Sequence, residues 1–323
     1  MTRPTLLVTR HLPDRVLERL QANYETTLSR DDLPLSADQL ADAFQKYDAL
    51  SPTITDRIQA PMFASSSLKT RIIANFGAGV EHIDIASAQR AGVVVTNTPD
   101  ALTEATAELA ILLMLMTARR AGEGERLLRA GKWTGWTPTQ LLGSDLRGKT
   151  LGLVGFGRIA KETARRARAV FDINVAYYSR TRAALPEEEA LGARYHHSLQ
   201  SLLAEADIVS LHCPGGSATY HLIDAQALAH MKPTSILINT ARGSVVDAQA
   251  LSDALRTGRI AAAGLDVYEG EPKVSPSLME LENAVLLPHL GSATLQARTA
   301  MGMQMADNLD AFFAGRPPPN RVA

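Results

Sequence analysis

The chain has 323 residues, which is more than one typical domain contains, so we expect two domains. Its 33 basic and 34 acidic side chains give a formal net charge of −1, which argues against a surface that binds nucleic acid or an anionic membrane. The single cysteine, Cys213, excludes an internal disulfide framework and is typical of a reducing compartment. Because the first residues also lack the apolar core of a signal peptide, we expect a cytoplasmic protein with neither nucleic acid nor membrane among its partners.

The first hundred residues alternate short apolar strands with helical patterns, as in a small α/β domain with a parallel sheet. The predicted strands are residues 5–8, 49–50, 71–75 and 93–96. The predicted helices are residues 13–23, 37–44 and 83–91. A longer amphipathic helix is then predicted from residue 102 to about residue 119.

Residues 121–145 differ from the rest of the chain because they contain five glycines and both tryptophans, Trp133 and Trp136. We expect a helix here, followed by a projecting arm. Two exposed tryptophans would form an unusual apolar patch on a monomer. The segment therefore predicts an interface between copies of the chain, in a homodimer.

The alternation of strands and helices resumes at residue 149 and continues to about residue 288. Six strands are predicted, at residues 151–154, 175–178, 208–212, 236–239, 262–267 and 284–287. Six strands with helices between them match a complete doubly wound parallel sheet. One more long helix is expected from residue 294 to about residue 313, and the prolines that follow cannot continue it.

The glycine turn Gly155-Phe-Gly-Arg-Ile-Ala160 follows an apolar strand and opens a helix. Strand, glycine turn and helix are the start of a dinucleotide-binding unit, with Ala160 in the third small position. The helix N-terminus offers free N–H groups and a positive dipole end to a pyrophosphate. A plain strand-to-helix turn is the alternative, but the lengths of the flanking elements favour cofactor binding. A nucleotide site that opens at residue 155 also implies that the preceding residues form something else.

The end of the second strand of this unit indicates which dinucleotide is bound. An NAD site usually has Asp or Glu there, which accepts hydrogen bonds from the ribose hydroxyls. Here the strand leads into Ser179, Arg180, Thr181 and Arg182, and the nearby Asp172 lies at the wrong end of the strand. Two guanidiniums and two hydroxyls suit a 2′-phosphate, which predicts NADP(H), with NAD(H) as the alternative. Solvated surface arginines are the other interpretation.

Three side chains with suitable chemistry follow predicted strands: Arg242, Glu271 and His289. Ligands of open α/β sheets bind at that edge of the sheet. A cation, a carboxylate and an imidazole there suit the binding of a carboxylate substrate and the transfer of a proton. Taken singly, each has a plain interpretation as a loop ion pair, a solvated acid or a capping residue, but their joint placement favours catalysis. We assign no metal ligands.

Four motifs together resemble the signatures of the D-isomer-specific 2-hydroxyacid dehydrogenases, and the resemblance covers nearly the whole chain. The motifs are Gly155-Phe-Gly-Arg-Ile-Ala160, Asn239-Thr-Ala-Arg-Gly-Ser244, Ala262-Ala-Gly-Leu-Asp-Val-Tyr-Glu-Gly-Glu-Pro272 and Leu287-Pro-His-Leu-Gly-Ser-Ala-Thr294. Within the family, Lys132-Trp-Thr-Gly-Trp-Thr-Pro138 and Ser179-Arg180 are most similar to the glyoxylate/hydroxypyruvate reductase branch.

The resemblance implies an α/β fold with two Rossmann-like domains. A doubly wound parallel-sheet NAD(P)-binding domain, residues 101–289, is expected to be inserted into a smaller flavodoxin-like substrate domain. Residues 1–100 and 290–323 are expected to form that substrate domain. The dimerisation arm is expected at about residues 121–145.

The resemblance also implies the site residues. Arg242 is expected to hold the substrate carboxylate, His289 to donate a proton, and Glu271 to orient the imidazole. Substrate contacts are implied for Ala78, Gly79, Trp136, Arg242 and His289. Cofactor contacts are implied for Thr106, Gly155, Phe156, Gly157, Arg158, Ile159, Ser179, Arg180, Thr181, His212, Cys213, Pro214, Thr240, Ala241, Arg242, Asp266, His289 and Gly291.

These features predict the reduction of a small 2-oxo acid, glyoxylate or hydroxypyruvate, to the D-2-hydroxy acid, with NADP(H) preferred. The alternatives within the enzyme class are relatives of 3-phosphoglycerate dehydrogenase, formate dehydrogenase or a phosphite-oxidising enzyme. The alternative from another class is a nucleotide-sensing corepressor without catalytic activity, because fold alone does not decide function.

Overall fold

The computed structural model describes residues 3–64 and 68–323. The chain divides into two compact units, one formed by Met1–Leu102 with Ser292–Ala323 and the other by Thr103–Gly291. The second unit is therefore inserted into the sequence of the first. The divisions predicted after residues 100 and 289 lie two residues before those of the compact units. The substrate and cofactor roles of the two units stay a prediction.

The described residues contain twelve strands and twelve α-helices. The strands are β1 (Thr5–Val8), β2 (Glu25–Leu28), β3 (Ala49–Ser51), β4 (Ile72–Ala74), β5 (Val94–Thr96), β6 (Thr150–Val154), β7 (Asn174–Tyr178), β8 (Ala193–Tyr195), β9 (Ile208–Leu211), β10 (Ile236–Asn239), β11 (Ala262–Leu265) and β12 (Ala284–Leu286). The helices are α1 (Asp14–Asn23), α2 (Ala37–Lys46), α3 (Ile85–Arg90), α4 (Thr103–Ala118), α5 (Ala121–Arg129), α6 (Arg158–Phe171), α7 (Leu185–Leu191), α8 (Leu199–Glu205), α9 (Ala225–His230), α10 (Ala248–Arg256), α11 (Pro276–Met279) and α12 (Leu295–Phe313).

The sheet of the first unit has five parallel strands in the order β2-β1-β3-β4-β5. This is the flavodoxin-like order, whose direction changes between β1 and β3. Alternate residues of β1 face opposite sides of the sheet, as the pleat requires. Leu6 joins a core with α1 and α12, and Leu7 joins a core with α2 and α3. Both faces are covered by helices, which confirms the predicted α/β class.

The sheet of the second unit has seven parallel strands in the order β12-β11-β10-β9-β6-β7-β8. Its order changes direction between β6 and β9, which is the doubly wound Rossmann arrangement with one added strand. Ligands of such sheets bind outside the carboxyl ends of the strands at this point. The glycine turn follows β6 there, and the loops after β7, β9, β10 and β11 leave the same edge of the sheet.

Two strands, β2 and β8, were not predicted from the sequence, so the second sheet has seven strands where six were expected. Both lie at the edge of their sheets. Glu25 and Thr27 of β2 and Arg194 of β8 are exposed or half-buried, so neither strand has a continuous apolar run. Edge strands that are open to solvent on one side lack the hydrophobic signal that marks a central parallel strand.

The predicted helix of the 121–145 segment is present as α5, and residues 130–149 contain turns but neither helix nor strand. Trp133 is 51% exposed and Trp136 is 79% exposed. Leu128 and Leu142 are exposed as well. The segment therefore presents large apolar side chains at the surface of the second unit.

Candidate active site

The glycine turn after β6 has the geometry that a bound phosphate requires. Gly155 has a φ of +90°, and a Cβ atom there would lie 2.8 Å from the backbone nitrogen of Cys213, so only glycine fits. Gly157 precedes the first residue of α6, and apart from its chain neighbours no described residue would have an atom within 4 Å of a Cβ atom at Gly157. Within the part of the chain that the structure describes, no side chain caps the N-terminus of α6. The turn therefore leaves open space beside free N–H groups, which fits a pyrophosphate.

Two threonines line the same edge of the sheet. Thr240 is 8% exposed, and its hydroxyl has no hydrogen-bond partner among the described residues. The Thr106 hydroxyl donates to the carbonyl oxygen of Gly291 at 3.1 Å. A buried hydroxyl without a protein partner is costly unless a ligand or water completes it, so Thr240 also fits a bound dinucleotide.

The loop after β9 carries the predicted contacts His212, Cys213 and Pro214. Burial lowers the pKa of His212 to about 4, so the ring is neutral at neutral pH, and its Nε2 atom lies 2.9 Å from the Ser210 hydroxyl. Burial also raises the pKa of Cys213 to about 11. Cys213 is thus a protonated thiol that lines the turn and is unsuited to nucleophilic attack.

The two arginines after β7 have different surroundings. Arg180 is exposed and forms no hydrogen bond or ion pair with any described residue. Arg182, in contrast, forms two hydrogen bonds with Glu188, at 2.9 and 2.8 Å. The two guanidiniums predicted to suit a 2′-phosphate therefore differ, because the charge of Arg182 is paired with Glu188; the role of each in binding the cofactor stays a prediction. Of the two hydroxyls, Ser179 Oγ donates to the carbonyl oxygen of Thr181.

The imidazole of His289 and the carboxylate of Glu271 form a direct pair, with Nδ1 2.7 Å from Oε2. The other Glu271 oxygen accepts a hydrogen bond from the Tyr268 N–H at 2.8 Å. Burial alone would raise the pKa of Glu271, but the hydrogen bonds from His289 and Tyr268 and the charges of His289 and Arg242 outweigh it and lower this pKa. Because Nδ1 is held by a carboxylate, Nε2 is the nitrogen left for proton transfer.

The loop that carries His289 is held by Asp266, which is only 1% exposed. Its two carboxylate oxygens accept hydrogen bonds from the N–H groups of Leu290 and Gly291, at 2.7 and 2.8 Å. Its carbonyl oxygen accepts from the His289 N–H at 2.9 Å. His289 itself has a φ of +56°, a left-handed conformation that needs such support. Asp266, predicted as a cofactor contact, thus also positions the imidazole.

Arg242 follows β10 and lies on a turn that contacts the loop of Glu271. A Cβ atom at Gly243 would lie 1.8 Å from the carbonyl carbon of Tyr268, so the two loops touch through their backbones. The Asn239 amide donates to the Arg242 carbonyl oxygen at 2.9 Å, and Arg242 Nη1 donates to the Ala241 carbonyl oxygen at 2.7 Å. The positive charge of Arg242 helps to lower the pKa of Glu271. The structure therefore brings Arg242, Glu271 and His289 to one edge of the second sheet.

Ala78 and Gly79 lie in the first unit, on the loop after β4. The Asn75 amide donates to the carbonyl oxygens of Gly77 and Gly79, at 3.1 and 2.9 Å, and the Asn97 amide donates to that of Ala78 at 2.7 Å. The N–H groups of Ala78 and Gly79 have no acceptor among the described residues. Carbonyls tied back in this way leave adjacent N–H groups free for an anion. Sequence reasoning did not predict Asn75 or Asn97, because only the fold places their amides under this loop.

The remaining predicted contacts are Phe156, which is 8% exposed and stacks on Tyr177 at 3.8 Å, and the first residues of α6, Arg158 and Ile159. Trp136 lies in the irregular segment after α5. Among the described residues, none of the helices combines the length and apolarity needed to cross a bilayer. The same part of the chain holds no group of three or more His, Cys, Asp or Glu side chains placed to bind a metal ion.

Known proteins resemble this chain over its full length. A family model described as D-isomer specific 2-hydroxyacid dehydrogenase, NAD binding domain, matches residues 111–291. The glyoxylate reductase of Thermococcus litoralis is 44% identical over 324 residues, which cover 99% of this chain and 97% of that protein. A protein of Thermus thermophilus has a solved structure with a TM-score of 0.91 and 43% identity, and the match covers 99% of this chain and 100% of the other.

A further solved structure contains a cofactor. The NADPH-dependent glyoxylate/hydroxypyruvate reductase of Sinorhizobium meliloti, in complex with NADP and malonate, has a TM-score of 0.85 and 38% identity, with 100% of this chain and 97% of that chain covered. Sequence, fold and site geometry thus lead to the same conclusion. The chain belongs to the D-isomer-specific 2-hydroxyacid dehydrogenase family, in its glyoxylate reductase branch, and is an NAD(P)-dependent dehydrogenase.

Proposed function

We propose that this protein reduces a small 2-oxo acid, glyoxylate or hydroxypyruvate, to the D-2-hydroxy acid, and that it prefers NADPH to NADH. The observation that carries the proposal is the His289–Glu271 pair at 2.7 Å, on a loop in contact with the turn of Arg242. The glyoxylate reductase of Thermococcus litoralis, at 44% identity, supports the choice of substrate class.

Each residue of the trio has a distinct role in the proposed reaction. The nicotinamide, when bound, supplies the hydride that reduces the C2 carbon. Arg242 binds the substrate carboxylate through its planar guanidinium, which matches two oxygens at once. His289 donates a proton from Nε2 to the oxygen that becomes the hydroxyl, and Glu271 keeps the ring in the orientation that this transfer needs. In the first unit, the N–H groups of Ala78 and Gly79, which have no acceptor among the described residues, stay predicted substrate contacts.

The second unit contains the groups that would hold the cofactor. The open space at Gly157 and the N–H groups of the first turn of α6 suit the pyrophosphate. The unpartnered hydroxyl of Thr240 suits a polar group of the dinucleotide. Arg180, exposed and unpaired among the described residues, suits the 2′-phosphate, which supports the preference for NADPH.

The test is an assay of NADPH and NADH oxidation with glyoxylate, hydroxypyruvate and 3-phosphohydroxypyruvate, followed by identification of the hydroxy-acid enantiomer. We expect turnover of the first two acids with NADPH and formation of D-glycerate from hydroxypyruvate. His289→Gln is expected to lower kcat/KM for glyoxylate by about 100-fold or more. His230→Gln, on the exposed end of α9, is the matched control. An unchanged kcat/KM in His289→Gln, or no turnover of any 2-oxo acid by the parent protein, contradicts the proposal.

The exposed segment after α5 is proposed to form the interface of a homodimer. Trp136, at 79% exposure, and Trp133, at 51%, are the large apolar side chains that such an interface would cover. In the glyoxylate/hydroxypyruvate reductase branch that the motifs resemble, an arm tryptophan reaches the active site of the partner subunit. Trp136 is the residue proposed for that contact here.

A further inference from the structure

Glu188 accepts a cluster of hydrogen bonds from residues in and next to the segment that follows β7. Glu188 of α7 is only 6% exposed, and its carboxylate accepts hydrogen bonds from three atoms. Tyr177 Oη donates at 2.5 Å, Arg182 Nε at 2.9 Å and Arg182 Nη2 at 2.8 Å. Hydrogen bonds from Arg182 and Tyr177 lower the pKa of Glu188 to about 2, so the carboxylate is charged over the whole working pH range. We call Tyr177, Arg182 and Glu188 the β7 clamp.

The β7 clamp packs against two further aromatic rings, those of Phe156 and Tyr195. Tyr177 is fully buried and stacks on Phe156 of the glycine turn, with 3.8 Å between ring centroids and 16° between planes. The Arg182 guanidinium lies 5.6 Å from the centroid of the Tyr195 ring. Although Arg182 is exposed, a guanidinium that is both paired with a carboxylate and placed over an aromatic face is held more tightly than one without these partners. The clamp is therefore connected directly to the turn that would bind the pyrophosphate.

Both ends of the segment 179–183 form hydrogen bonds with tyrosine side chains. Tyr195 Oη donates to the carbonyl oxygen of Ser179 at 3.4 Å. The Ala183 N–H donates to Tyr177 Oη at 2.8 Å. Arg182 is fixed between these points by Glu188, whereas Arg180 has no partner among the described residues. The fold thus separates two arginines that look equivalent in the sequence.

We propose that the β7 clamp is a positioning device for cofactor selectivity, which holds the segment so that Arg180 meets the 2′-phosphate of NADPH while Arg182 does not touch it. The inference rests on the proposed NADPH preference and deepens it. Arg182 also neutralises the charge of Glu188, so this carboxylate adds no unpaired negative charge that would repel a phosphate.

Glu188→Gln separates this inference from direct binding of the phosphate by Arg182. If Arg182 only positions, the loss of the charged acceptor loosens the segment and weakens binding of a 2′-phosphate. If Arg182 is itself a phosphate contact, Glu188→Gln releases its guanidinium, and binding of the phosphate becomes tighter or stays the same. The two accounts therefore predict different results for one substitution: weaker binding of a 2′-phosphate if Arg182 only positions, and unchanged or tighter binding if Arg182 is a phosphate contact.

The experiment uses titration calorimetry of the full chain with 2′,5′-ADP and with 5′-AMP, and fluorescence titration with NADPH and NADH, so no readout depends on turnover. We expect Arg182→Ala and Glu188→Gln each to raise the Kd for 2′,5′-ADP by about five- to tenfold, and Arg180→Ala by about tenfold or more. The Kd for NADH should change by less than about twofold in all three. Arg165→Ala is the matched control, because Arg165 forms a similar double hydrogen bond with Glu162 on α6.

The double variant Arg180→Ala/Arg182→Ala completes the test. If Arg182 acts through Arg180, its removal has no further effect on 2′,5′-ADP binding once Arg180 is absent. An additive loss in the double variant, tighter binding in Glu188→Gln, no effect of Arg182→Ala, or equal losses for NADPH and NADH would each overturn the inference. Tyr177→Phe, which removes only the phenolic oxygen, is expected to weaken binding of 2′,5′-ADP without weakening that of NADH. This variant keeps the inference testable if Glu188→Gln does not fold.

The parent protein shows whether the premise holds. If it binds NADH as tightly as NADPH and does not bind 2′,5′-ADP, the NADPH preference and this inference fall together, while reduction of 2-oxo acids stands. If the parent protein binds 2′,5′-ADP and Arg182→Ala binds it equally well, only the role of the β7 clamp is lost.

Discussion

The Nδ1 atom of His289 lies 2.7 Å from Oε2 of Glu271, and further hydrogen bonds within the second unit hold both residues in place. Asp266 accepts hydrogen bonds from the two N–H groups that follow His289, and the Tyr268 N–H donates to the other oxygen of Glu271. The imidazole is therefore oriented by contacts within one unit. Such pre-set geometry reduces the reorganisation that proton transfer would otherwise need.

The first prediction concerns the charge of Glu271. Glu271→Gln keeps an acceptor for His289 but removes the negative charge that stabilises the imidazolium, so we expect kcat for glyoxylate reduction to fall by about 100-fold with little change in KM. Steady-state kinetics at saturating NADPH measures this. Glu269→Gln is the control, because Glu269 lies two residues away and pairs with His221 at 2.9 Å instead. Equal losses in the two variants would show that the loop, and not the charge of Glu271, is what matters.

The second prediction separates two glycines of the same turn. Gly157→Ala places a methyl group where, apart from the two chain neighbours, no described residue has an atom within 4 Å, so we expect unchanged thermal stability but a Kd for NADPH at least about tenfold higher. Gly155→Ala forces a side chain to a φ of +90° and to 2.8 Å from Cys213 N, so it should lower the free energy of unfolding by about 1–3 kcal/mol. Thermal melts and fluorescence titration measure both. Normal NADPH binding by Gly157→Ala would exclude a phosphate from that space.

The third prediction concerns acid stability and His212. Its pKa lies near 4 in the folded protein against an ordinary value of 6.5, so between these pH values the unfolded chain binds more protons than the folded one. The free energy of unfolding must therefore fall as the pH drops from about 6.5 to about 4, by up to about 3 kcal/mol. Urea unfolding of the protein without cofactor, at a series of pH values, measures this slope. His212→Asn should flatten it, and an unchanged slope in that variant would assign the acid loss to other groups.

The fourth prediction concerns association. If the segment after α5 covers its tryptophans in a homodimer, replacing Trp133 and Trp136 together by Gln should shift the protein toward the monomer. Sedimentation velocity over a range of protein concentrations measures the shift. Val170→Gln, a 67% exposed apolar position on α6, is the control and should leave the association unchanged. A parent protein that sediments as a monomer at every concentration would refute the interface.

The chemistry-bearing residues were predictable from the sequence because parallel strands end at a common edge. Arg242, Glu271 and His289 each follow a strand with a clear apolar run, so their joint position at one edge follows from the fold class alone. The glycine turn was recognisable for the same reason, since a buried strand and a helix flank it directly. The family was predicted from these motifs, and the comparisons confirm it.

The contacts between polar side chains that are distant in the sequence were visible only in the tertiary structure. The sequence does not distinguish Arg180 from Arg182. In the structure, α7 places Glu188 beside Arg182, and of the two arginines only Arg182 is paired with a described residue. The amides of Asn75 and Asn97 reach the loop of Ala78 and Gly79 only because β4 and β5 are adjacent. The edge strands β2 and β8 were not predicted because neither contains a continuous run of buried apolar residues. Local sequence patterns record which side chains are apolar and where the chain turns, whereas pairing between distant polar groups depends on how the packed elements bring them together.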